Sequence, residues 1–212
     1  MPIDFVKGMA KNSLDNANLL LAFGFFLLPF IFTLGISIFY GFEVNFAGFG
    51  LSIASELIGW IVSVAVIFFL LASFKGGSAK GRFSGLMTGY SFIFLARFFL
   101  QIVSFVLVLF LVPNFFTAFA EVQSNPDPLA IAFALDSLQV QSESIVVAGV
   151  AALSLVTLIV FLFALYLVYQ LIANAGKSPI LTNLLIFVIW AVVIAVVYVF
   201  LPSLPFFVPG ST

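Results

Sequence analysis

Polar positions in this chain are sparse and bunched, and between the bunches lie five predominantly apolar runs at residues 17–40, 51–74, 86–112, 145–172 and 180–201. Each run holds about twenty residues or more. At 1.5 Å of rise per residue, such a run wound as a helix matches the roughly 30 Å of a bilayer's hydrocarbon core. The pattern therefore predicts an all-α polytopic integral membrane protein, with five transmembrane helices in a single membrane domain over residues 1–212. Pro29 falls inside the first run, where it removes a backbone donor and predicts a kink.

The stretches between the runs are polar for different reasons. Residues 1–16 are too polar to span. Ile3, Val6, Ala10 and Leu14 recur at helical spacing there, with Lys7 and Lys11 one turn apart on another face. That spacing fits a short helix lying in the headgroup region, and it fits equally a charged flank of the first span. The apolar run that follows is too long for the h-region of a cleaved signal peptide. Residues 113–144 form an acidic loop with Glu121, Asp127, Asp136 and Glu143 and no Lys or Arg. Within it Ser124-Asn-Pro-Asp-Pro128 signals a turn. Asp127 before Pro128 reads as an N-cap for a short apolar helix over 129–138, resting on the bilayer surface.

Composition strengthens the membrane reading. Hydrophobic residues make up 64% of the 212 positions and charged residues 7%, whereas a soluble domain has about a quarter of its residues charged. The net charge of −1 provides no basic field for nucleic acid. The chain has no cysteine and no histidine, which removes thiolate and imidazole metal ligands and the commonest general base. Gly76-x-x-x-x-Gly81 has the outline of a phosphate-binding loop, but Arg82-Phe83 stands where Lys-Ser/Thr is required and no strand precedes it. Ser84 lacks a histidine, or a lysine within a span, to activate it. Every Asp lies outside the runs. We expect no catalytic residue, no metal and no cofactor, and hence a protein that is not an enzyme.

Charge distribution predicts the orientation. Lys7 and Lys11 precede the first run, Lys75, Lys80 and Arg82 lie between the second and third, and Lys177 lies between the fourth and fifth. With five crossings all six fall on one side, and Glu43 and the acidic loop fall on the other. The positive-inside rule then places the N-terminus in the cytoplasm and the C-terminus outside, in what reads as the cytoplasmic membrane of a prokaryote.

Two ionisable residues lie well inside runs, Glu56 and Arg97. A charge there costs a few kcal/mol and calls for a partner or a wet cavity. One reading is an ion or substrate path; the other is an internal pair locking the second helix to the third, or Arg97 snorkelling alone. Counted from the cytoplasmic ends of the runs, Glu56 lies roughly 27 Å deep and Arg97 roughly 15 Å. Their side chains nearly close that gap, though not comfortably. Small residues also recur every fourth position, as Ser55, Gly59 and Ser63 in the second run and as Gly81, Gly85 and Gly89 at the start of the third. Such stripes let helix backbones approach closely, and we expect the two to face each other or another helix. A competing reading gives Gly81 and Gly85 to the turn alone.

The turn at 71–85 (Leu-Ala-Ser-Phe-Lys-Gly-Gly-Ser-Ala-Lys-Gly-Arg-Phe-Ser-Gly), followed by Gly89-Tyr90 and set in five spans with a cytoplasmic N-terminus, resembles the Yip1-domain family. Gly76, Gly77, Lys80, Gly81, Phe83, Gly89 and Tyr90 carry the match, with extra residues inside the turn and a longer acidic loop than that family has. The resemblance implies a non-enzymatic membrane organiser or interaction scaffold, working in the lipid bilayer through other membrane proteins or itself. The runs alone leave open an accessory subunit of a larger membrane complex, and a small transporter or channel using Glu56 and Arg97.

Overall fold

The computed structural model describes residues 2–75, 82–124, 127–176 and 179–200, and the elements among them are all helices. In chain order they are α1 (Pro2–Asp15), α2 (Leu19–Tyr40), α3 (Phe46–Lys75), α4 (Phe83–Leu111), α5 (Phe115–Ser124), α6 (Pro128–Asp136), α7 (Glu143–Gly176) and α8 (Ile180–Phe200). Five of them, α2, α3, α4, α7 and α8, are long and apolar enough to cross a membrane, which suggests an integral membrane protein. They match the five runs, with α3 and α4 starting a few residues early because Phe46 and Phe83 already continue the apolar pattern.

Local chemistry sets the ends of α2. The Asn18 side chain accepts from the Leu21 N–H at 2.9 Å as N-cap. Gly41 closes the helix at φ +74°, donating to Ile38 O while Phe42 N donates to Ser37 O. This is the paired-carbonyl stop that glycine's left-handed conformation permits. Pro29 lies buried inside α2 without ending it.

α4 is the central helix and packs on α1, α2, α3, α5 and α7. Its anchor is an aromatic trio from three helices. Phe26 stacks on Trp60 at 5.4 Å, and Phe94 meets both edge-on at 5.1 and 5.5 Å. α8 packs on α3 and α7.

Two polar stretches carry contacts that the sequence did not name. α1 packs against α4 and α7 with Val6, Ala10 and Ser13 buried. Ile3, assigned to the same face, stays 57% exposed. The acidic stretch 113–144 carries the expected short helix as α6 and, in addition, α5. Asn114 organises it, donating from Nδ2 to Ser137 O at 2.6 Å and accepting the Gln139 N–H at 2.9 Å. The predicted N-cap is present, Asp127 Oδ1 accepting from Leu129 N at 2.9 Å. α5 forms because Phe116 and Phe119 reach Tyr40, Phe42 and Phe105 at the ends of α2 and α4, contacts that local pattern does not display.

Candidate functional site

α3 and α4 run antiparallel. Phe68 faces Phe83 at 5.7 Å, Trp60 faces Phe94 at 5.5 Å, and the next matched pair along this register is Glu56 with Arg97. Arg97 Nη1 donates to Glu56 Oε1 at 2.7 Å, the length of a charge-assisted bond. The side chains are 31% and 22% exposed. The depth mismatch read from the sequence shrinks because α4 begins at Phe83. Arg97 is then fourteen residues, or about 21 Å, into its helix, and Glu56 nineteen residues, or about 28 Å, from the end of α3. Two long side chains bridge the difference. The reach is comfortable, contrary to the sequence estimate.

Beside Arg97 a cavity of about 340 Å³ runs between α2, α4 and α5, bounded by Phe32, Leu100, Phe105 and Phe116. Its polar groups are few. Thr33 and Ser104 spend their hydroxyls on Pro29 O and Leu100 O within their own helices. Gln101 Oε1 is buried with no hydrogen-bond partner among the described residues. Chemically the cavity can hold an apolar molecule, with Arg97 and Gln101 as its charged and amide neighbours.

The glycines of α4 do not face the Ser55/Gly59/Ser63 stripe. A Cβ on Gly85 would stand 2.8 Å from Leu14 Cα and 3.1 Å from the Ser13 and Leu14 carbonyl oxygens, so Gly85 admits the backbone of α1. A Cβ on Gly89 would collide with the Leu171 side chain of α7. The close approach expected of these glycines is thus made to α1 and α7 and not to α3. On α3, Ser55 is half-buried, Gly59 and Ser63 are buried, and Ser63 Oγ has no partner among the described residues. Gly81 lies outside the described residues, as do Gly76, Gly77, Lys80 and Lys177.

The described basic residues of the expected cytoplasmic side gather at one end of the bundle. Lys7 and Lys11 are exposed on α1 and Lys75 is the last residue of α3. Arg82 does more than mark a side: its Nη1 donates to Asn174 O and Ala175 O at 3.1 and 3.2 Å. A cation thereby sits on the carbonyls at the C-terminus of α7, where the helix dipole favours one. Sequence reasoning missed three residues here. Thr88 Oγ1 accepts the Asn18 N–H at 3.1 Å and fixes the α1–α2 link to α4, Asn114 clamps the opposite end, and Gln101 faces the cavity. Each is a single polar residue inside or beside an apolar run, a signal already on the page in the sequence. Groups of three or more potential metal ligands are absent among the described residues. Comparison with known proteins finds no matching family model, no matching curated protein and no matching solved structure.

Proposed function

We propose that the chain is a non-catalytic integral membrane protein that acts as an organiser or interaction scaffold, in the manner implied by its resemblance to the Yip1-domain family. Its five long helices cross the cytoplasmic membrane of a prokaryote. The end carrying Lys7, Lys11, Lys75 and Arg82 faces the cytoplasm, and the C-terminus and the α5–α6 cap lie outside. The observation that carries this reading is the outer half of α7. Val147, Val150, Leu155, Leu158, Ile159, Phe161 and Leu162 all point away from the bundle, each more than half exposed. Ala148, Ala151 and Ala152 are exposed between them, so another spanning helix can approach closely. The Glu56–Arg97 pair acts here as a lock between α3 and α4.

Because the chain has no cysteine, single cysteines at Val150 or Leu158 give clean crosslinking handles in native membranes. The expected result is a crosslinked protein of defined mass at these positions and none from a control position at Phe69 on α3. Adducts to lipid alone overturn the scaffold reading. One observation favours a small transporter instead, namely the 340 Å³ cavity bordered by Arg97. Solute flux by the purified protein in vesicles, abolished by Gln101→Leu, would establish that reading in place of the first.

A further inference from the structure

At the basic end, a second cleft of about 260 Å³ opens between the end of α1, the start of α4 and the end of α7, lined by Lys11, Leu14, Asp15, Arg82, Ala173 and Asn174. We infer that it binds the headgroup of an ethanolamine phospholipid, with the phosphate on Lys11 and Arg82 and the ammonium on Asp15. The inference rests on the reading of the five long helices as membrane spans, which puts the ends of α4 and α7 at headgroup depth.

The charges of the cleft are arranged but unspent. Lys11 and Asp15 stand one turn apart on α1, yet their side chains make no ion pair or hydrogen bond among the described residues. The order Lys before Asp is the weaker of the two for an intrahelical pair. Arg82 is held in place by its two bonds to the carbonyls of α7, both through Nη1. Its Nη2 and Nε donors have no partner among the described residues and remain available to an acceptor. Among the described residues one anchored cation, Arg82, one free cation, Lys11, and one carboxylate, Asp15, thus border a single cleft, with the negative end of the α7 dipole beside them.

That set is poorly matched to a simple anion, which Asp15 and the α7 carbonyls would repel. It is equally poorly matched to a cation, which Lys11 and Arg82 would repel. It complements a ligand that carries both signs a short distance apart, as a phosphodiester and a primary ammonium joined by a two-carbon bridge do. The ammonium offers three N–H donors for Asp15, whereas the quaternary amine of a choline lipid offers none, and a glycerol headgroup brings no positive charge. Leu14 and Ala173 supply apolar wall for the glycerol backbone below. The volume lies just under the roughly 300–1,000 Å³ of sites for drug-sized ligands, which suits a headgroup. Gly85 makes the site possible, since it lets the end of α1 lie against α4 and brings Asp15 up to Arg82.

The test is lipid retention by the full chain in nanodiscs of mixed ethanolamine, glycerol and choline phospholipids, read by native mass spectrometry after stepwise delipidation. The unmodified protein is expected to retain the ethanolamine lipid about fivefold over the choline lipid, the worth of roughly one charge-assisted hydrogen bond at a wet site. Asp15→Asn should erase the preference for ethanolamine over glycerol lipid while leaving the glycerol lipid bound. Lys11→Gln should weaken both. Equal retention of the three lipids by the unmodified protein, or an unchanged preference in Asp15→Asn, overturns the assignment. Alkaline carbonate extraction of native membranes separates this outcome from failure of the membrane reading. A protein that stays in the pellet but shows no headgroup preference refutes the lipid site alone, and one that is released refutes the spans.

Discussion

The two ends of the bundle are built on opposite plans. At the basic end α1 crosses α4 backbone against backbone, through Gly85 on Ser13–Leu14, and the Arg82 side chain binds the last carbonyls of α7. At the acidic end the space is filled by side chains. Tyr40, Phe42, Phe105, Phe116 and Phe119 form an aromatic cap over α2 and α4, and Asn114 ties the start of the α5–α6 segment to its end at Ser137 and Gln139. Backbone-to-backbone contact has no slack, whereas side-chain contact can shift rotamers. One end should be intolerant of small changes and the other forgiving. The Glu56–Arg97 bond stands between the two ends and joins α3 to α4.

Four substitutions, read as thermal shifts in detergent, probe that difference. The largest effect is expected at the link itself. Arg97→Leu leaves Glu56 uncompensated and should destabilise by about 2–3 kcal/mol, less than a fully buried pair because both groups are partly exposed. The exchange Glu56→Arg with Arg97→Glu should recover part of the loss, and a double variant as unstable as the single one would remove the lock. Next comes Gly85→Ala, expected to cost about 2 kcal/mol because the new methyl meets backbone that cannot turn aside. Hydrogen exchange should then rise in α1 and at Asn18 while α5 and α6 stay protected, and uniform loosening would argue against a local crossing. Asn114→Ala should cost about 1 kcal/mol for its two hydrogen bonds, with faster exchange confined to α5 and α6. Smallest is Gly149→Ala at the acidic end, expected within about 0.5 kcal/mol. Its methyl meets the Leu111 side chain, with the two terminal carbons 2.8 and 3.0 Å away and Cγ at 3.3 Å, and that side chain can rotate. A larger cost for Gly149→Ala than for Gly85→Ala would reverse the comparison.

Much of this was legible in the chain. The positions of the five long helices, the N-cap at Asp127 and the residue types of the Glu56–Arg97 bond all follow from local pattern. The partners of the glycines were not legible. Spacing every fourth residue says that something packs closely, but α1 and Leu171 take the positions for which the Ser55/Gly59/Ser63 stripe was the candidate. α5 was hidden for a related reason. Phe115–Ser124 reads as the polar start of a loop, and only the rings at the ends of α2 and α4 make it a helix.

By itself the sequence determined how many helices are long and apolar enough to cross a membrane and which end of each is basic. Both properties add up residue by residue along a single helix, from rise, transfer energy and charge. Tertiary structure alone decided what lies against α4, how far α3 slides along it, and that Lys11, Asp15 and Arg82 share one cleft. Where nearly every side chain is apolar, hydrophobicity no longer discriminates between neighbours, and shape at a few small residues together with a few polar bonds makes the choice.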